Sequence, residues 1–239
     1  MSLSGLLGLG RGSRVAVSGC GGKTSVINIL AGEAGADMSV LVTPTAKIFP
    51  VTDAGADFAA TREECLAHVP RPGIHCLGLL NGKTGKLEAL APEDLAAIAP
   101  RYDIVLMEAD GSGGLPCKGW TENEPVIPDF ATHTLGVVSV NAVGLAASAE
   151  NVFRPDEFLK LTGLNRGDAV TAEALAAMVA SPGGMLRRRA GHVAIVINQA
   201  EDERGRKIAL KTAALIREAR DMPLVIVSGN ARMNRWSGF

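Results

Sequence analysis

Residues 14–24, RVAVSGCGGKT, decide how the rest of this 239-residue chain is read. Val15 and Val17 alternate as β-branched residues and predict a strand. Ser18 ends it in a run holding Gly19, Gly21 and Gly22, closed by Lys23 and Thr24. Beyond them Val26, Ile27, Ile29 and Leu30 recur at helical spacing, with Gly32 and Gly35 as stop signals. Strand, glycine turn, Lys-Thr and helix, in that order, are what a phosphate-binding loop requires. Glycines let successive N–H groups turn inward, and the helix N-terminus adds partial positive charge. Lys23 can reach the terminal phosphates and the Thr24 hydroxyl can ligate magnesium. Residues Gly19, Cys20, Gly21, Gly22, Lys23, Thr24 and Ser25 are therefore the expected nucleotide contacts. The bland alternative is a glycine-rich turn with a Lys-Thr of no consequence.

The loop departs from the usual G-x-x-x-x-G-K-[ST] spacing, whose first glycine would stand at Val17. The shorter G-x-G-G-K-T is similar to the loops of Mur-type ligases and of dimerising metal-chaperone and partitioning NTPases. Those dimerising proteins carry a signature lysine where this chain has Ser18.

A second stretch, residues 102–111 (YDIVLMEADG), carries chemistry of the complementary kind. Its apolar run suits a parallel strand covered on both faces. Glu108 and Asp110 follow at the carboxyl end, where open α/β sheets bind ligands. Residues two apart on a strand share a face, so both carboxylates are expected at one magnesium site with Thr24. Lys23, Glu108 and Asp110 are the expected catalytic set.

Composition bounds the rest. With 47% hydrophobic residues the chain can bury a full core. A net charge of -1 argues against a nucleic-acid or anionic-membrane surface. No apolar run approaches a membrane span, and the short leucine-rich start lacks the marks of a signal peptide. Four scattered cysteines without a C-x-x-C pair suit a reducing compartment, so a cytoplasmic protein is expected.

Along the chain, residues 38–42 read as a buried strand whose end places Thr43 and Thr45 like a switch segment sensing phosphate or metal. Residues 57–69 have helical spacing. Residues 74–80 and 86–90 read as strands around an Asn81-Gly82 turn, with Lys83 and Lys86 solvated at its tip and His75 a satisfied core residue. A helix opens at Pro92. The loop 112–129 is long, polar and without periodicity, with Lys118, Glu122 and Glu124 as candidate contacts. Strands are predicted at 135–140, 193–197 and 224–227, and helices at 154–161, 171–179 and 208–219. Ser228-Gly229-Asn230 reads as a loop placed to touch a base or ribose. Arg187, Arg188 and Arg189 form the most basic patch, ordinarily a solvated helix end. The Asn198-Gln199-Ala200-Glu201 turn partly matches the guanine-reading N-K-x-D of GTPases, so Asn198 and Glu201 are candidate base contacts that tilt ATP or GTP binding towards GTP.

The segments GCGGKTS, LVTPTAK, MEADGSGGLPCK and ENEPVIPD, followed by FRPDEFLKLTGLNRGDAVTAEALAAMV and VAIVINQAE, resemble the YqeC family of selenium-dependent hydroxylase accessory proteins over nearly the whole chain. Departures are Ser25 for a second threonine, Gly113 where a basic residue is common, and Cys117 for an aliphatic residue. The resemblance implies a P-loop protein that serves the maturation of selenium-dependent molybdenum hydroxylases, with such a hydroxylase or its maturation factors as partner. The expected architecture is an α/β three-layer P-loop NTPase-like fold with a mostly parallel sheet. It is expected to form one domain over 1–239, with a small insertion around 73–90 and a helical segment at 150–190. The expected function is a magnesium-dependent NTPase, with a small-molecule kinase, a Mur-like ligase or a nucleotide-binding module as the rivals.

Overall fold

The computed structural model describes residues 2–48, 56–220, 225–230 and 235–238. The chain opens with α1 (Leu3–Leu6), β1 (Ser13–Gly19), α2 (Lys23–Ala34), β2 (Ser39–Pro44), β3 (Lys47–Ile48) and β4 (Asp57–Ala59). Next come α3 (Arg62–Ala67), β5 (Gly73–Leu77), β6 (Leu79–Asn81), β7 (Lys86–Glu88), α4 (Pro92–Ile98) and β8 (Ile104–Glu108). The second half holds β9 (Cys117–Lys118), β10 (His133–Ser139), β11 (Val152–Phe153), α5 (Pro155–Thr162) and α6 (Ala172–Ala180). It ends with β12 (His192–Asn198), α7 (Glu203–Ala219), β13 (Val225–Asn230) and β14 (Arg235–Gly238).

One nine-stranded sheet runs in the order β14-β13-β12-β10-β1-β8-β2-β5-β4. Every pairing from β4 across to β13 is parallel; only β14, at the edge, is antiparallel. Alternation along the strands sorts their side chains between two faces. Val15 and Val17 pack with Val26, Ile27 and Leu30 of α2, while Ala16 joins Val105, Met107 and the α4 residues Leu95 and Ile98 on the opposite face. Further along that opposite face, Ile195 and Ile197 meet α6 and α7 through Leu175, Met178, Ala213 and Ile216. Helices on both sides make the parallel sheet the middle of three layers, the P-loop NTPase-like architecture that the alternating elements predict. Leu106 is fully buried in β8, and truncating a leucine so placed to alanine costs about 2–5 kcal/mol.

The chain leaves β1 for β2 on one side, returns to fill the gap with β8, then crosses β1 to lay down β10. That reversal opens a crevice at the carboxyl ends of β1, β8 and β10, where α/β sheets of this kind take ligands.

Local differences from the sequence reading have physical causes. Residues 57–59 form the edge strand β4, paired to β5, because tertiary pairing outweighs a short helical period. The helix behind it starts only at Arg62, where Thr61 and Glu64 form a reciprocal capping box. Gly78 splits the expected strand 74–80: β5 stays in the main sheet, while β6 and β7 form a small antiparallel sheet with β3. Ser228, Gly229 and Asn230 lie inside β13 rather than in a loop. Leu224, the first residue of the expected last strand, lies outside the described residues.

Candidate functional site: a glycine loop over a buried charge network

The turn after β1 is shaped by walls that exclude side chains. Gly19, Gly21 and Gly22 have φ of 114°, 74° and 122°, a region L side chains rarely adopt. A Cβ on Gly19 would stand 2.1 Å from the Val137 carbonyl oxygen, and one on Gly21 2.3 Å from Ser139 Cβ. Gly22 is closed off by the Asn198 amide at 2.2 Å. β10 and β12 therefore mould the loop. Cys20 N–H donates to Val137 O at 3.0 Å and Asn198 Nδ2 donates to Gly21 O at 3.1 Å. The 12-residue α2 then begins at Lys23, with Gly22 as N-cap and no side chain satisfying its first N–H groups. Unsatisfied N–H groups and the helix dipole together favour an anion at that end.

Beneath the loop lies a network of alternating charges. Lys23 Nζ donates to Gly19 O at 2.7 Å and lies 3.3 Å from Asp110 Oδ1 and 3.6 Å from Glu108 Oε1. Burial pulls the Lys23 ammonium down, but Asp110 and Glu108 outweigh it and hold its pKa above the ordinary lysine value. Burial pushes the Glu108 carboxyl up, with Lys23 opposing. Thr24 Oγ1 donates to Glu108 Oε2 at 3.3 Å, so hydroxyl and carboxylate meet at one point. Asp110 is enclosed. It accepts from Ser18 Oγ at 2.9 Å, from Gly19 N–H at 3.2 Å and from Trp120 Nε1 at 2.5 Å. Lys118 Nζ, also fully buried, stands 3.6 Å from Asp110 Oδ2 and 2.8 Å from Glu124 Oε2. Arg154 closes the chain of charges on Glu124. Buried charges persist only when paired in this way, and removing one partner leaves its neighbour uncompensated.

A pocket of about 390 Å³ opens beside the network, lined by residues 21–25, Glu108, residues 111–114 and Lys86. Glu108 and Thr24 face this space, whereas Asp110 does not line it. Of the two carboxylates expected at a metal, Glu108 sits at the pocket wall and Asp110 organises the loop behind it. Lys86, which the sequence places at a solvated hairpin tip, is carried to the pocket by β7. Only the small sheet that folds this hairpin back reveals that position.

The remaining sequence candidates are distributed as follows. Thr43 pairs in register with Met107, is fully buried, and its Oγ1 has no hydrogen-bond partner. Thr45 Oγ1 donates to Val126 O at 2.6 Å and its N–H to Glu108 O at 3.0 Å, tying the loop 112–129 to β8. Neither threonine lines the pocket. Asn198 is spent on shaping the glycine loop, and its Oδ1 is buried without a partner. Glu201 is exposed just before α7 and does not line the pocket. In the basic patch Arg187 and Arg188 donate to the carbonyls of Thr121 and Glu122 and fix the long loop from outside. Lys118 and Glu124 belong to the buried network, so that loop is ordered by ion pairs and by β9–β11 pairing.

Fold and site define the class: a three-layer α/β protein of the P-loop NTPase-like type, with a glycine loop feeding a central helix and a carboxylate pair on the adjacent strand. Within that class the chain belongs to the YqeC family, whose profile, described as YqeC protein, matches residues 15–156. It is also 32% identical over 178 residues to an uncharacterized YqeC protein of Escherichia coli (strain K12), covering 72% of this chain and 70% of that one. The matched segment holds the glycine loop, Glu108, Asp110 and the long loop. Among the described residues no helix is long and apolar enough to cross a membrane.

Proposed function

We propose that the chain binds a magnesium nucleoside triphosphate in the pocket at the start of α2 and hydrolyses it slowly, acting as an accessory factor for selenium-dependent molybdenum hydroxylases. The observation that carries the nucleotide reading is the conjunction at one pocket of a side-chain-free loop, an uncapped helix N-terminus, Lys23, and a Thr24–Glu108 pair. Phosphate oxygens accept from the loop and helix N–H groups, and Lys23 adds a charge-assisted donor. Thr24 and Glu108 form the hard oxygen set that suits magnesium, which keeps several waters and uses few protein ligands. When bound, the ion screens the phosphates from Glu108 and neutralises charge that builds on them in transfer. Lys86 supplies a cation in the pocket whose Gly113 offers none.

The accessory role rests on the family resemblance, and the hydroxylase or its maturation factors are the proposed partners. Ser18 holds Asp110 instead of offering the signature lysine of dimerising relatives, so few stabilisers of transition-state charge are present and slow turnover follows. Incubation with ATP and with GTP, with and without magnesium, followed by product analysis tests the reading. Free phosphate as the sole product, released faster when a hydroxylase or maturation factor is added, is the expected result. A phosphorylated or ligated small molecule would show a kinase or Mur-like ligase instead, and tight binding without turnover a nucleotide-binding module.

A further inference from the structure

At the opposite end of the sheet, Asp57, His68 and His75 bring one ligand atom each to within 4.8 Å of one another, the only such trio of His, Cys, Asp or Glu among the described residues. Three elements meet there: Asp57 opens the edge strand β4, His75 lies on the adjoining β5, and His68 caps the C-terminus of α3. Tyr102, just before β8, closes the cluster. The glycine loop follows β1, three strands across the sheet from β5; His75 is level with Arg14, which puts the loop about 16 Å further along the strand direction at about 3.3 Å per residue.

His75 does not behave as a satisfied core residue. Its Nε2 lies 2.7 Å from the Arg71 carbonyl, which can only accept, so Nε2 carries a proton. Its Nδ1 is buried, has no hydrogen-bond partner, and faces Asp57 Oδ2 at 3.4 Å. The ring is 1% exposed, so water does not reach that lone pair freely. Arg71 Nη2 already pairs with Asp57 Oδ2 at 2.7 Å, but the His75 Nδ1 lone pair facing that oxygen has neither a cation nor a proton donor among the described residues. His68 joins from the side, its ring centroid 4.8 Å from that of His75. Its Nδ1 is held by Tyr102 Oη at 2.9 Å, which leaves Nε2 for a ligand. Each imidazole thus has its second nitrogen fixed by a carbonyl or a hydroxyl, the outer-shell arrangement of metal-ligating histidines.

We propose that Asp57, His68 and His75 form a binding site for a transition-metal dication of the zinc class, through Asp57 Oδ2, His75 Nδ1 and His68 Nε2, with the fourth position open to solvent. Two imidazoles and one carboxylate suit zinc, cobalt(II) or nickel and are a poor set for magnesium, so the site is chemically distinct from the nucleotide pocket. Ligand atoms bound at about 2.0–2.1 Å in a tetrahedron lie roughly 3.4 Å apart, so the widest separation, 4.8 Å, closes by about 1.4 Å on binding. The ion would fasten the three-residue edge strand and the end of α3 to the sheet.

The test uses the full-length protein stripped with a chelator, then titrated with zinc against a chromophoric chelator and, separately, with cobalt(II) read by its visible spectrum. One equivalent with a tetrahedral cobalt spectrum is expected. Asp57→Asn and His75→Ala should each weaken zinc at least about tenfold, and Tyr102→Phe about 10–100-fold as an outer-shell change. The other histidine pair, His133 and His192, whose ring centroids are 5.4 Å apart, is the internal control: His133→Ala should leave binding unchanged. Asp57 is partly exposed, so Asp57→Asn remains informative if His75→Ala does not fold. Equal zinc affinity in wild type and Asp57→Asn, or a loss in His133→Ala instead, overturns the proposal. Because no nucleotide is present, either result is independent of the reading of the glycine-loop pocket.

Discussion

Asp110→Asn is the substitution that most directly probes the buried network. A carboxylate offers acceptors in both oxygens, and Asp110 uses Oδ2 for Ser18 and Trp120 and Oδ1 for Gly19 and Lys23. An asparagine must put an NH2 in one of those places. On the Oδ2 side it meets the Trp120 N–H, and on the Oδ1 side the Gly19 N–H and the Lys23 ammonium, so one donor faces another in either rotamer. Ser18 can turn its hydroxyl to compensate; the N–H groups cannot. Among the described residues the change also leaves Lys23 and Lys118 with Glu108 and Glu124 as their carboxylate partners. Removing one partner of a buried ion pair costs about 3–5 kcal/mol. For a chain of this size that corresponds to a melting temperature lower by roughly 6–20 °C, at about 2–4 °C per kcal/mol. Urea unfolding followed by circular dichroism gives the free energy, and Trp120 fluorescence reports the site itself. A variant within about 1 kcal/mol of wild type would refute the claim that Asp110 is the hub of the loop. Glu108→Gln, at the pocket wall, should be far milder in stability while weakening the magnesium dependence of nucleotide binding.

Lys23→Ala should abolish detectable triphosphate binding in calorimetry, while Thr24→Ala keeps binding but flattens its magnesium dependence; wild-type affinity in Lys23→Ala would remove the nucleotide reading. Gly21→Ala forces a Cβ to 2.3 Å from Ser139 Cβ at a φ of 74°, so it should destabilise the fold by about 1–3 kcal/mol and weaken nucleotide binding, read by melting and by fluorescence titration. All four cysteines are buried, and burial pushes Cys65 up to about 11 and Cys117 up to about 12. A raised pKa means less thiolate at any pH below it, so native protein at pH 8 should resist a disulfide reagent that labels all four thiols in denaturant; one rapid equivalent would contradict this.

Local chemistry and tertiary chemistry divide what the sequence revealed. The β1 alternation, the glycine turn and the first helix were legible because each depends on neighbours within a few residues. So were Pro92 at the start of α4 and Thr171 as a cap, whose side chain accepts from Ala174 N–H. Glu108 and Asp110 were legible as strand-end carboxylates, but their different duties were not. The distinction comes from Trp120 and Lys118, brought round by a loop with no period of its own. Lys86 reads as a solvated tip residue because the pairing of its hairpin with β3, which carries it to the pocket, is a tertiary contact. Asn198 was placed correctly at a strand end, yet its amide serves the backbone of Gly21, a contact no pattern match could supply. The Thr61-x-x-Glu64 capping box was readable in the letters and would have corrected the helix start at 57.

The walls that mould the glycine loop arrive late in synthesis. Gly21 meets Asn198 across 177 residues and Ser18 meets Asp110 across 92. At roughly 5–20 residues per second, the ribosome takes about 10–35 s to deliver β12 after the loop has emerged. Through that interval Lys23 and the three glycines have the right order and no mould, and closing so long a span is entropically slow. A chain interrupted before residue 198 would carry the complete stretch 14–24 and still lack the surface that gives it shape. The signature is therefore written in one short stretch, while the authority to use it is withheld until a strand end 177 residues later has been made.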